Sequence, residues 1–129
     1  MTAPQVVVAA VIECEGRYLL ARRRTGSQAG RWEFPGGKVR TGEDPRDALV
    51  RELQEELGIR ARVGDLLLEV PFASGTRPYL LAAYRTEHMS GTCCLRDHTE
   101  LRWVRGPEIL EMDLTPADVD IAKLLARSS

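Results

Sequence analysis

The 129-residue chain, 43% hydrophobic and 29% charged, has the length and composition of one domain, spanning 1–129, with its own core. Its net charge of −1 offers no basic field to a nucleic-acid duplex or an anionic membrane, and no apolar run reaches the length of a membrane span. The start, Met1–Glu13, lacks a basic stretch followed by a cleavage site, and Cys14, Cys93 and Cys94 have no metal-ligand spacing. The expectation is a cytoplasmic protein with reduced thiols, no membrane partner and no stable nucleic-acid partner.

In chain order, Gln5–Glu13 is a continuous Val-rich run, the mark of a strand buried on both faces. A turn at Cys14-Glu15-Gly16 leads to a second strand at Gly16–Arg23, and the polar Arg24–Arg31 reads as a loop. Trp32-Glu33-Phe34 is a short strand that stops at Pro35-Gly36-Gly37. Asp44 can cap a helix, Pro45 suits its first position and Asp47 suits its positive end; Gly58 suits a left-handed stop after Leu57. Ala61–Val70, Pro78–His88 and Glu100–Val104 read as strands, with a turn around Ser74-Gly75. Thr115–Asp118 repeats the helix-start pattern and opens a last helix running to about Arg127. Strands before, between and after two helices imply an α/β or α+β sandwich around a mixed sheet.

Projected at about 100° per residue, Leu49, Leu53 and Leu57 form one stripe of the helix after Asp44. That stripe explains docking. It does not explain why Glu52, Glu55 and Glu56 share the adjoining arc, where like charges cost a few tenths of a kcal/mol per pair. One reading is a solvated face softened by Arg46 and Arg51. The other is a hard-cation site, since Mg²⁺ or Mn²⁺ prefers carboxylate oxygens. The glycine pair Gly36-Gly37, where backbone can approach a ligand closely, and Lys38 at the same mouth favour the cation.

From Gly37 to Ile59 the chain resembles the Nudix box, G-x5-E-x7-R-E-U-x-E-E-x-G-U, with U a bulky apolar residue. Gly37, Glu43, Arg51-Glu52-Leu53, Glu55-Glu56 and Gly58-Ile59 fill every specified position. The resemblance implies a mixed sheet sandwiched between helices, with the box as a loop-helix-loop, and hydrolysis of a nucleoside diphosphate linked to another group. It implies that Glu52, Glu55 and Glu56 ligate Mg²⁺ (Mn²⁺ being the alternative), with the Gly36 carbonyl completing the cage. Glu52 is the favoured general base, with Glu55 or Glu56 as rivals. Arg51 orients the glutamates through a salt bridge, and Glu43 stands behind them or ligates on occasion. A non-catalytic nucleotide-binding module is the lesser alternative, disfavoured because no box acid is lost.

The resemblance extends beyond the box. "LLARR" followed by "WEFPGGKV" is similar to the MutT branch, which cleaves nucleoside triphosphates to a monophosphate and pyrophosphate. By that similarity Arg23 contacts the phosphates, Lys38 stabilises the leaving group and Phe34 lines the base pocket. "RDHTELRWV" is similar to the branch's acid-His-x4-Trp stretch, which makes Asp97 an added metal ligand or base and His98 structural. Asp118 falls where relatives approach the nucleobase. An ionised carboxylate only accepts, so it suits a base edge with donors, such as the cytosine amino group, although guanine also carries donors. The bland alternative makes Asp118 an acid in a capped first turn. The expected reaction is therefore pyrophosphohydrolysis of (d)CTP or 5-substituted (d)CTP, with 8-oxo-(d)GTP as the alternative. Tyr79 or Trp32 is a candidate to stack on the base.

Overall fold

The computed structural model describes residues 3–127. Strand β1 (Gln5–Cys14) is the Val-rich run, and Val8 through Ile12 are all buried. Glu15 and Gly16, with φ of 52° and 78°, turn the chain back into antiparallel β2 (Arg17–Arg23). β2 pairs in turn with β3 (Trp32–Glu33) and with β7 (His98–Arg105). On its other edge β1 runs parallel to β6 (Arg77–Ser90), with Gln5 opposite Tyr79 and Ile12 opposite Thr86. β6 forms a long antiparallel ribbon with β5 (Arg60–Ser74), closed by the turn at Gly75.

The alternation of side chains along β1 builds two cores. Val8, Ala10 and Ile12 pack with Leu49, Leu53 and Leu57 of α1 (Pro45–Leu57). Ala9 and Val11 lie in the opposite core with Ile109 of α2 (Gly106–Ile109) and Ile121, Ala122 and Leu125 of α3 (Val119–Arg127). The result is the expected mixed sheet between helices. No described helix is long and apolar enough to cross a membrane.

The structure corrects the sequence reading at two places. Gly36–Lys38 does not merely end a strand; it forms β4, antiparallel to β1, with Ala9 opposite Gly36 and Val7 opposite Lys38. The physical reason is close approach, because a Cβ on Gly36 would land on the Val8 carbonyl. At the other end, Pro116–Asp118 forms a separate 3₁₀ turn before α3, and the Thr115 side chain does not cap it. That turn is docked on β3 by Trp32 N–H donating to the Asp113 carbonyl (2.8 Å) and Thr115 N–H donating to the Trp32 carbonyl (2.9 Å). The short α2 carries Pro107 in its first turn and has no counterpart in the sequence reading.

Candidate active site

The box helix is held at both ends by local chemistry. The Asp44 side chain accepts from the backbone N–H groups of Arg46 and Asp47, and Gly58 closes the other end at φ 71°. With the leucine stripe fully buried, the helix turns Glu52 toward Gly37 of β4 and Glu56 into the cavity beside it.

Arg51 ties this flank to the preceding loop. Its Nε and Nη2 donate to the two Glu43 carboxylate oxygens at 2.9 and 3.0 Å, and Nη2 also reaches the Lys38 carbonyl at 3.1 Å. Its Nη1 donates to Glu52 at 2.8 Å and to Glu55 at 3.2 Å. Paired with Arg51 and then with the Arg40 N–H, the Glu43 carboxyl is held down at about 2, against an ordinary 4.5. The folded carboxyl keeps its charge below the pH at which the unfolded one protonates. Its contribution to stability is therefore complete above pH 4.5 and is lost as pH falls toward 2. Thermal unfolding followed over that window should show a steeper loss for the wild-type chain than for Glu43→Gln.

Beside β4 lies a cavity of about 430 Å³, within the range of small-molecule sites. Of the anticipated residues, Arg23, Phe34, Gly36, Lys38, Glu56 and Asp118 line it. Glu52 lies under its floor, since a Cβ on Gly37 would fall on the Glu52 carboxyl group. Glu55 turns away: it is half exposed and engaged by Arg51 and by Arg40 at 3.6 Å. Asp97 is exposed in the loop before β7, although its charge acts on Glu56.

Four buried side-chain polar atoms among the described residues lack a hydrogen-bond partner, and three belong to residues lining this cavity: Arg23 Nε, Gln28 Oε1 and Glu56 Oε2. Groups left unsatisfied together at one wall are what a polar ligand would satisfy. Glu33, which the sequence reading passes over, sits among them. Its carboxylate accepts from Arg23 Nη1 at 2.8 Å and lies 3.0 Å from Nε2 of the buried His98. One signal was available: Glu33 is an acid between Trp32 and Phe34, both of which are buried.

Burial, followed by the charges of Glu52, Glu33 and Asp97, pushes the Glu56 carboxyl up to about 9. Among the described residues, no three His, Cys, Asp or Glu side chains converge into a closed metal cage. The donors present fit a hard cation that keeps most of its coordination for water and substrate oxygens: the unpartnered Glu56 Oε2, the adjoining Glu52 and the Gly36 carbonyl. In the β1–β4 ladder Pro35 O and Val39 N bond to β1, so the alternation turns Gly36 toward the open edge.

Asp118, lining the same cavity, is only 6% exposed. Its Oδ2 accepts from the Phe34 N–H at 2.7 Å. Burial pushes its carboxyl up to about 7, opposed by the Phe34 N–H and the Thr115 side chain and assisted by Glu33. The candidate stacking residues separate here. Tyr79 lines the cavity, its ring stacked on Phe72 at 5.0 Å, whereas Trp32 is buried in the core with the Arg102 guanidinium 4.8 Å from its ring.

The family description "NUDIX domain" matches residues 1–127. The chain is 45% identical over 116 residues to the CTP pyrophosphohydrolase of Escherichia coli (strain K12), covering 89% of this chain and 86% of that protein. It is 42% identical over 133 residues to the putative 8-oxo-dGTP diphosphatase 2 of Mycobacterium tuberculosis, covering 97% and 93%. Among solved structures, the MutT protein of Methanosarcina mazei Go1 superposes with a TM-score of 0.86 at 30% identity, covering 99% of this chain and 97% of that one.

Proposed function

This chain belongs to the Nudix hydrolase family, whose members act on nucleotides and generally need a divalent cation, and from that premise we propose a specific reaction. The protein is a cytoplasmic, Mg²⁺-dependent pyrophosphohydrolase that converts a nucleoside triphosphate and water to the monophosphate and pyrophosphate, with (d)CTP or a 5-substituted (d)CTP as substrate. The observation that carries this reading is the lining of one cavity: the unpartnered Glu56 carboxylate oxygen and Arg23 Nε, which suit a cation and phosphates, share it with the Asp118 carboxyl, which suits a nucleobase.

Glu52 and Glu56 would hold the cation with the Gly36 carbonyl, and Glu55 would join them by leaving Arg40. The bound cation supplies charge neutralisation for the phosphates and acidifies a water. The chain's own groups do the rest. Glu52, held by Arg51, would take the proton from the attacking water. Arg23, anchored by Glu33, presents Nε to the phosphates, and Lys38 stands at the mouth where pyrophosphate departs. Phe34 and the stacked Phe72–Tyr79 pair give the base an apolar slot.

Asp118 decides the base. The Phe34 N–H and the Thr115 side chain orient the carboxyl, whose remaining lone pairs would accept from the cytosine amino group. The same carboxyl, poised near 7, also exists as the acid, which donates to a guanine carbonyl; this favours 8-oxo-dGTP as the second reading. The name of the Escherichia coli relative supports the first, and that of the Mycobacterium tuberculosis relative the second.

The test is pyrophosphate release with Mg²⁺ across CTP, dCTP, 5-methyl-dCTP, dGTP and 8-oxo-dGTP. Cytidine nucleotides should lead in kcat/KM, and Asp118→Asn should erode the lead by about tenfold, or about 1.4 kcal/mol in transition-state binding. A tenfold lead for 8-oxo-dGTP would instead establish the second reading. Tight nucleotide binding without turnover would make the protein a binding module.

A further inference from the structure

α1 breaks an electrostatic rule. The carboxyl end of a helix carries about half a negative charge and is best served by a cation. α1 has no basic residue in its last turn and places Glu55 and Glu56 there instead. The missing cation comes from elsewhere in the chain. Arg96 Nη1 donates to the Gln54 and Glu55 carbonyls, both at 3.1 Å, from more than 40 residues away. The Cys94 N–H adds a bond to the Leu57 carbonyl at 2.9 Å. At Gly91, φ is 92° and a Cβ would press on Gly58 O and Ile59 Cα at 2.9 and 3.2 Å, so the segment starts in close contact with the helix end.

The residues that follow Arg96 reach the site. Asp97 acts electrostatically on Glu56, and His98 meets Glu33 at 3.0 Å. Of three successive residues, Arg96 thus holds the helix end, Asp97 acts by its charge on Glu56, and His98 meets the anchor of Arg23.

We propose that Arg96 is a positioning residue of the active site: by closing the carboxyl end of α1 from the 91–97 segment, it fixes the last turn that carries Glu56, and the Asp97 charge beside it, for the cation. The inference rests on the reading that Glu52 and Glu56 hold the metal. The guanidinium fixes the α1 end without touching substrate, so its influence falls on metal affinity and not on nucleotide recognition.

The test uses the full-length, nucleotide-free protein, with Mn²⁺ binding followed by loss of the free-ion electron paramagnetic resonance signal. Steady-state kinetics run in parallel. Arg96→Ala should weaken Mn²⁺ binding by about tenfold, the scale on which groups behind metal ligands act. The metal concentration for half-maximal activity should rise by a similar factor, while KM for the nucleotide at saturating metal stays unchanged. Arg96→Lys restores a point charge without the paired carbonyl contact, so it should recover part of the loss. Asp44→Ala removes the cap at the opposite end of the same helix. It should lower the Tm and leave Mn²⁺ affinity within about twofold, since a cap carries about 1 kcal/mol of stability and no contact with the cluster.

Mn²⁺ binding within twofold of wild type in Arg96→Ala, or an equal loss in Asp44→Ala, overturns the proposal. Glu56→Gln separates the two readings. Unchanged Mn²⁺ affinity in that variant sinks the metal assignment itself, whereas a loss there with Arg96→Ala silent sinks only the role of Arg96.

Discussion

Glu52→Gln should reduce kcat by about 10³-fold at saturating Mg²⁺, within the span expected when a positioned general base is removed. Glutamine keeps the length of the side chain and one oxygen to accept from Arg51 Nη1, so the fold and the box loop should survive. What disappears is a charge and a proton acceptor. Three observations place Glu52 at the centre of the cluster. It lies under Gly37, where any Cβ would collide with it; it is hydrogen-bonded to Arg51; and it is the largest charged influence on Glu56. Glu55, half exposed and shared between Arg40 and Arg51, is the weaker candidate. Pyrophosphate release measured in both variants decides the matter. Turnover above a tenth of wild type in Glu52→Gln would move the base to Glu55 or Glu56.

Gly36→Ala should destabilise the fold by about 3 kcal/mol, at the upper end of what forced overpacking costs, because the clash is with backbone. The added methyl meets the Val8 carbonyl oxygen and carbon and Ala9 Cα, none of which can rotate away. β4 would have to leave β1, and Gly36 would leave the cavity wall with it. Gly37→Ala makes the useful contrast. There the methyl meets only the end of the Glu52 side chain, so the fold should hold while activity falls. Denaturant unfolding and pyrophosphate release on the pair should separate the two effects. Equal stability of Gly36→Ala and wild type would mean that β4 does not need its close contact.

The features legible in the sequence are those governed by near neighbours. Asp44, Pro45 and Gly58 mark the ends of α1 because capping is decided within a few residues, and Leu49, Leu53 and Leu57 mark its buried face because a helix repeats every three to four. The valine run of β1 declared burial on both faces for a similar reason. Glu33 was marked only by its flanking aromatics, and its role was not legible, because Arg23 and His98 reach it from 10 and 65 residues away. β4 contradicts strand propensity, with two glycines in three residues, and exists only because β1 accepts a backbone at that distance. The sequence marked Asp118 as a candidate but could not show that the Phe34 N–H holds it, nor that Tyr79 and not Trp32 faces the cavity.

The Phe34–Asp118 hydrogen bond also sets a length. On the proposed function, Phe34 holds the carboxylate that would read the base, and Gly36, two residues on, would offer its carbonyl to the cation, so both parts of the site would hang from one tripeptide. Two extended residues span about 7 Å, and Pro35, fully buried, removes most of the slack between them. The spacing between nucleobase and cleavage point would therefore be a fixed gauge in the backbone. On that reading a nucleotide would be measured as well as recognised: which phosphorus meets the water would follow from where its base comes to rest.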